Sequence, residues 1–217
     1  MSTTVVYGLA VFGPATTWNW WRGWVLLATA VIANVVALAT LHHERSELFY
    51  ERLKPTMQRG QPLVDKIILF LFLVTYGGSI ALASLDVFRL HLAAQPPIWL
   101  ASIGLVMFIA GWWMIGLALR DNNFATAVVR HQTERGHHVV DQGTYAIIRH
   151  PFYAGLMPSL LGAPLWLGSY AATLAAIVPV ALIMLRIVFE EKFLRQTLDG
   201  YEAYRERVRY RLIPLVW

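Results

Sequence analysis

The 217-residue chain has no cysteine. No disulfide framework, thiolate nucleophile or thiolate metal site can be built, and the redox compartment cannot be read from it. Charge is scarce as well: 14% of residues are Asp, Glu, Lys or Arg, against about 25% in soluble domains. From Phe152 to Leu185 no residue is charged, and no Lys or Arg precedes Arg22. A basic n-region of a secretory signal is therefore missing. So are a G-x-G-x-x-G loop, a G-x-x-x-x-G-K-[ST] loop and a G-x-S-x-G elbow, which removes support for a Rossmann site, a P-loop or a serine-hydrolase nucleophile. The histidines at 42, 43, 131, 137, 138 and 150 match no common ligand spacing such as H-E-x-x-H, and no metal is expected. No internal repeat or low-complexity tract is present.

What is there is apolar. Hydrophobic residues make up 57% of the chain and the mean hydropathy is +0.51. A single soluble core does not absorb that much apolar surface, whereas a bilayer does. Nine Trp and nine Tyr suit two interfacial belts. The net charge of +5 is modest. It is better matched to membrane topology and contact with anionic lipid than to nucleic acid, which needs a basic face with stacking aromatics.

The expected fold is an all-α integral membrane protein with about five transmembrane helices, forming one membrane domain over 1–217. Residues 1–19 are uncharged and read as an exposed or interfacial lead-in. Spans follow at about 21–41, 63–85 and 98–119, each near the ~20 residues that a bilayer core requires. Residues 152–189 are long enough for two short spans joined by a tight turn near Gly168 and Ser169, with Pro158, Pro164 and Pro179 as kinks. The polar stretch 42–62 reads as a surface helix. Lys and Arg number four in 42–62, four in 120–150 and six from Lys192 onward, but none in 1–19 and one in 86–97. With five spans, all basic segments share one side. The positive-inside rule then places them in the cytoplasm and the N-terminus outside. No small-x-x-x-small face stands out above the general Gly and Ala content.

Candidate chemistry gathers where the most polar loop meets the uncharged run, from Gly143 to Gly155. Pro151 steers His150 away from helix and presents Arg149 and His150 at a helix start, where backbone N–H groups can bind an anion. Arg and His beside headgroups would also serve as a plain juxtamembrane anchor. Glu190 and Glu191 close an apolar span, where acids are functional candidates. Arg186 and Glu190 are four apart and could form a simple ion pair. Tyr201 to Pro214 suggests an amphipathic tail helix followed by a turn.

These runs together resemble the isoprenylcysteine carboxyl methyltransferases and the related membrane phospholipid methyltransferases. The shared pattern is His137, Val139 and Val140, Gly143-Thr144-Tyr145, Arg149 through Gly155, Glu190-Glu191 with Leu194, Tyr201 with Tyr204, and Ile213-Pro214. It covers about residues 120–217. The resemblance implies a helical membrane enzyme that uses S-adenosylmethionine without a Rossmann domain, on a cytoplasmic pocket formed by the C-terminal half. It implies cofactor contacts from Arg130 or Gln132, His137, His138, Val139, Val140, Tyr145, His150, Pro151, Phe152, Tyr153 and Glu190. Some relatives carry Gln where Arg130 aligns, and Gln132 stands ready for that contact. Arg149, Arg186 and Glu191 are the implied catalytic residues, with Arg186 facing the acceptor. The acceptor would be a lipophilic or lipidated molecule in the bilayer, either a prenylcysteine-like carboxylate or a lipid amine. An amine would need a base, for which His137, His138 or a glutamate is at hand. Two other functions fit fewer features. One is an NADPH-dependent sterol-type reductase, which shares an Arg-His-Pro-x-Tyr stretch. The other is a non-enzymatic membrane protein on the same scaffold.

Overall fold

The computed structural model describes the backbone of residues 2–44, 46–55, 58, 60–130 and 132–217, and their side chains apart from 2–4, 6, 41–44 and 46. The side chains of His42 and His43, and all of Arg45, Arg59 and His131, lie outside the described residues. Among the described residues the chain is helical, with no strand. The helices are α1 (Ser2–Ala15), α2 (Trp21–Glu44), α3 (Ser46–Leu53), α4 (Leu63–Leu85), α5 (Ile98–Asp121), α6 (Pro151–Leu167), α7 (Tyr170–Ala175), α8 (Ile177–Thr197) and α9 (Tyr201–Arg207). Four stretches are long and apolar enough to cross a membrane: Trp21–Thr40, Leu63–Leu90, Ile98–Asp121 and Tyr170–Thr197. This is a multi-pass, all-α membrane protein.

The uncharged run folds as a helical hairpin, but only its second leg, Tyr170–Thr197, is among these four, so four candidate spans are found among the described residues where about five are expected. α6, at 17 residues, is its shorter leg. Gly168 (φ 99°) ends that leg in the left-handed region that glycine tolerates at a helix C-terminus. Ser169 caps α7, its hydroxyl accepting from Ala172 N at 2.9 Å and donating to buried Asp86 at 2.5 Å.

α6 lies antiparallel against α5, backbone on backbone. A Cβ on Gly104 would stand 2.8 Å from the Gly162 carbonyl, and one on Gly155 would stand 2.9 Å from Ile115 N. Ser159 fills the level between, beside Gly111. Glycine spaced by seven on both helices is a small-residue face of the kind that lets membrane helices approach closely. That face was not legible in the composition, because it repeats by seven and is shared between two separate helices.

The first helix narrows one expectation. The exposed or interfacial lead-in expected over 1–19 is not exposed on every face, because α1 buries one of them. Tyr7, Val11, Phe12 and Ala15 are buried in a cluster with Ile80 and Ala83 of α4, and with Phe108 and Trp166. Positions 7, 11 and 15 repeat by four and so share one face. At 14 residues the helix is too short to span a bilayer.

Candidate functional site

The three basic segments meet at one end of the bundle. Arg52 of α3 donates to the Ala125 carbonyl at 2.8 Å and lies over the Phe152 ring at 5.3 Å. Arg130 pairs with Glu51 at 3.1 Å and with Glu134 at 2.5 Å. Gln132 is buried; it donates to the Phe124 carbonyl at 2.9 Å and accepts from Arg135 at 2.6 Å. Gly143 (φ 57°) has no room for a side chain, because the Asp121 carboxylate sits where a Cβ would be. That carboxylate accepts from Thr144 N at 2.7 Å and from Thr144 Oγ1 at 2.9 Å, which seats Tyr145 in the wall of a pocket.

The pocket is a cavity of about 110 Å³, open at its mouth. Its wall takes Arg130, Gln132, His137, Val139, Val140 and Tyr145 from the 120–150 segment. Arg149, His150, Phe152 and Tyr153 come from the start of α6, and Glu190 from α8. Eleven of the residues expected from sequence therefore line one cavity. Four others do not. His138 opens on an adjoining cavity with Asp121 and Gln142, and its Nδ1 contacts the Gly136 carbonyl at 3.0 Å. Pro151 is fully buried as the first residue of α6. Arg186 and Glu191 are buried behind the wall.

The hairpin returns α8 to α6 at the pocket. Tyr153 Oη donates to Glu190 Oε2 at 2.7 Å, and the His150 ring stacks on Tyr153 at 5.7 Å. Arg186 does not pair with Glu190. Its Nε donates to Asp65 of α4 at 2.8 Å, and its Nη2 donates to the Ala127 carbonyl at 2.8 Å. The guanidinium carbon lies 5.9 Å from the centre of the Tyr153 ring.

Arg149 and Glu191 are engaged with the tail. Arg149 Nε donates to Glu191 at 2.7 Å, and Nη1 donates to the Val208 and Arg209 carbonyls, each at 2.7 Å. Glu191 also contacts His150 Nε2 at 3.1 Å and accepts from Arg211 Nε at 2.9 Å. The backbone N–H groups of Arg149 and His150 donate to the Tyr210 and Arg211 carbonyls, both at 2.9 Å, just before the helix start where an anion site is expected. The tail lies against this helix start and takes those donors.

Sequence reasoning missed Asn122, Phe124, Tyr201 and Tyr204 as wall residues. A signal existed for the last two, since tyrosines three apart share a helix face. Tyr204 donates to the Tyr145 carbonyl at 2.8 Å. Tyr201 Oη is buried in the wall with no hydrogen-bond partner. Burial pushes the phenols of Tyr145, Tyr201 and Tyr204 up, so all three remain neutral donors at neutral pH. No group of three or more metal-ligating side chains occurs among the described residues.

A family model described as phospholipid methyltransferase matches residues 99–199. Protein-S-isoprenylcysteine O-methyltransferase of Schizosaccharomyces pombe is 32% identical over 106 residues, covering 45% of this chain and 45% of that protein. A probable protein-S-isoprenylcysteine O-methyltransferase of Oryza sativa subsp. indica is 34% identical over 114 residues, covering 51% and 60%. Protein-S-isoprenylcysteine O-methyltransferase B of Arabidopsis thaliana is 30% identical over 118 residues, covering 51% and 57%. The chain thus spans about half the length of the curated relatives it matches. The matched residues hold the 120–150 wall, the hairpin and Glu190, and over them this chain is similar to the phospholipid methyltransferase family and to isoprenylcysteine O-methyltransferases, in line with the resemblance read from the motifs.

Proposed function

We propose that the protein transfers a methyl group from S-adenosylmethionine to a lipophilic acceptor held in the membrane. The observation that carries this reading is the pocket itself. One half-buried carboxylate, Glu190, stands among tyrosines and histidines at the end of the bundle where the basic segments meet. The donor set fits the cofactor. Tyr201 Oη is a buried donor without a partner, and Glu190 has one oxygen tied to Tyr153 and one left.

When bound, S-adenosylmethionine supplies an electrophilic methyl: its S–CH3 bond breaks as the acceptor's lone pair forms the new bond, leaving S-adenosylhomocysteine. Glu190 takes the ammonium or the ribose hydroxyls. The ring of Tyr145 would face the sulfonium by cation–π contact, while Tyr153, whose ring packs against His150 and the Arg186 guanidinium, would hold Glu190 through its hydroxyl. His150 and Gln132 supply polar contacts, and His137, Val139, Val140 and Phe152 shape the wall. His138 and Pro151 act at one remove. Arg149 and Glu191 hold the tail against this wall and keep a fixed positive charge near the cofactor carboxylate. Arg186 belongs to the acceptor side. Methyl transfer mainly requires positioning of donor and acceptor, and a carboxylate acceptor needs no base. For an amine acceptor, His137, His138 or Glu190 removes the proton.

The named relatives are isoprenylcysteine O-methyltransferases. For this chain the acceptor class is a prenylcysteine-like carboxylate or a lipid amine. By the positive-inside rule the pocket faces the cytoplasm and the N-terminus lies outside. The test pairs two measurements. S-adenosylhomocysteine should raise the melting temperature of the purified protein while NADPH does not. Lipid extracts incubated with protein and labelled S-adenosylmethionine should yield one labelled lipophilic product by mass spectrometry. Stabilisation by NADPH alone, or by neither compound, overturns the reading.

A further inference from the structure

Asp65 lies outside the stretch that matches the family, 99–199, yet it is built into the site. It sits in the first turn of α4 and is 5% exposed. Its Oδ1 accepts from Arg186 Nε at 2.8 Å. Its Oδ2 accepts from Gln61 Nε2 at 2.6 Å and from Val129 N at 3.1 Å, and lies 3.5 Å from Arg186 Nη2. One carboxylate therefore joins α4, α8 and a residue of the pocket wall, Val129. With Nη2 also bound to the Ala127 carbonyl, two of the three guanidinium nitrogens are tied. Among the described residues Nη1 has no hydrogen-bond partner.

We propose that Asp65 is the positioning residue of the acceptor side: it clamps one edge of the Arg186 guanidinium and leaves Nη1 to meet an oxygen of the acceptor. The inference rests on the methyltransferase reading. A planar fork held along one edge has its other nitrogen aimed before the acceptor arrives, so little side-chain freedom remains to be lost on binding. Gln61 and Val129 N fix the carboxylate in turn, which ties the aim of Arg186 to the same loop that forms the cofactor wall.

The test uses the full chain in detergent micelles. S-adenosylhomocysteine-loaded protein is titrated calorimetrically with farnesylated N-acetylcysteine, and steady-state constants are measured with the same probe. Asp65→Asn should bind S-adenosylhomocysteine within about twofold of the parent. It should lose acceptor affinity by about tenfold or more, seen as a raised KM with a smaller change in kcat. Asp65→Glu, which keeps the charge, should recover part of that loss, and it carries the test if the asparagine variant does not fold. In a cycle with Arg186→Lys, the second substitution should add little to the first. Parent-like acceptor constants in Asp65→Asn, or in Asp65→Glu when it stands in, overturn the proposal, as do strictly additive losses. A parent that binds no S-adenosylhomocysteine sinks the methyltransferase reading instead, and Asp65 with it.

Discussion

Two buried arginine–carboxylate pairs flank the pocket, and they are employed differently. Arg149 and Glu191 both come from the half of the chain that carries the motifs. Arg149 reaches Glu191 and two tail carbonyls, and both oxygens of Glu191 have partners. That pair is closed: it fastens the tail across the start of α6. Arg186 and Asp65 come from opposite halves, 121 residues apart. That pair bridges the two halves of the chain; in each pair one terminal guanidinium nitrogen, Nη2 of Arg149 and Nη1 of Arg186, has no hydrogen bond among the described residues. Two ion pairs of the same chemistry thus sit differently in the fold, one holding the tail against the pocket wall and the other joining α4 and α8 beside it. A buried pair is weak grounds for net stability, but breaking it leaves a charge stranded.

The largest expected effect lies on the closed pair. Glu191→Ala strands Arg149 and removes the partners of His150 and Arg211. It should cost about 3–5 kcal/mol of stability, read by chemical unfolding in detergent, and should release the tail to protease. A parent-like unfolding midpoint would contradict the closed role. Arg186→Ala comes next. It should lower turnover by about 100-fold or more, because a misaimed acceptor loses alignment, while S-adenosylhomocysteine still binds. Normal turnover would reduce Arg186 to a structural ion pair.

Tyr201→Phe removes one buried hydroxyl that has no protein partner. It should weaken S-adenosylhomocysteine binding by about three- to tenfold, the worth of one hydrogen bond, with stability unchanged or raised. Tighter binding would remove Tyr201 from the cofactor's contacts. The smallest effect concerns Glu51, which faces Arg130 of the wall. Burial alone would raise its carboxyl, but hydrogen bonds and charge from Lys54 and Arg130 outweigh it and hold the group below its ordinary 4.5. A depressed carboxylate stabilises the fold above its unfolded value, and that stability drains as pH falls through its folded value. Between about pH 5 and about pH 3 the parent should lose slightly more melting temperature than Glu51→Gln, by about 1 kcal/mol or less.

The spans were legible because uncharged runs of about bilayer length have few other uses. The hairpin turn at Gly168 and Ser169 was legible because glycine and a capping serine interrupt that run. The cofactor wall was legible because its residues lie within one stretch and carry motif spacing. Other features were not. Tyr7, Val11 and Ala15 sit in an uncharged segment whose buried face has no polar counterpart to outline it. Asp65 reads as an ordinary acid in the first turn of a helix, where it suits the helix dipole. Arg186 and Glu190 have pairing spacing, but their partners come from elsewhere: Asp65 from α4 and Tyr153 from α6. Local spacing says which residues can meet, and tertiary packing decides which do.

The proposed roles of Glu190 and Arg186 are tested most directly by calorimetric titration of S-adenosylhomocysteine into the parent, Glu190→Ala and Arg186→Ala. The parent and Arg186→Ala should bind alike, and Glu190→Ala should show no binding. Binding by Glu190→Ala equal to the parent would contradict the account.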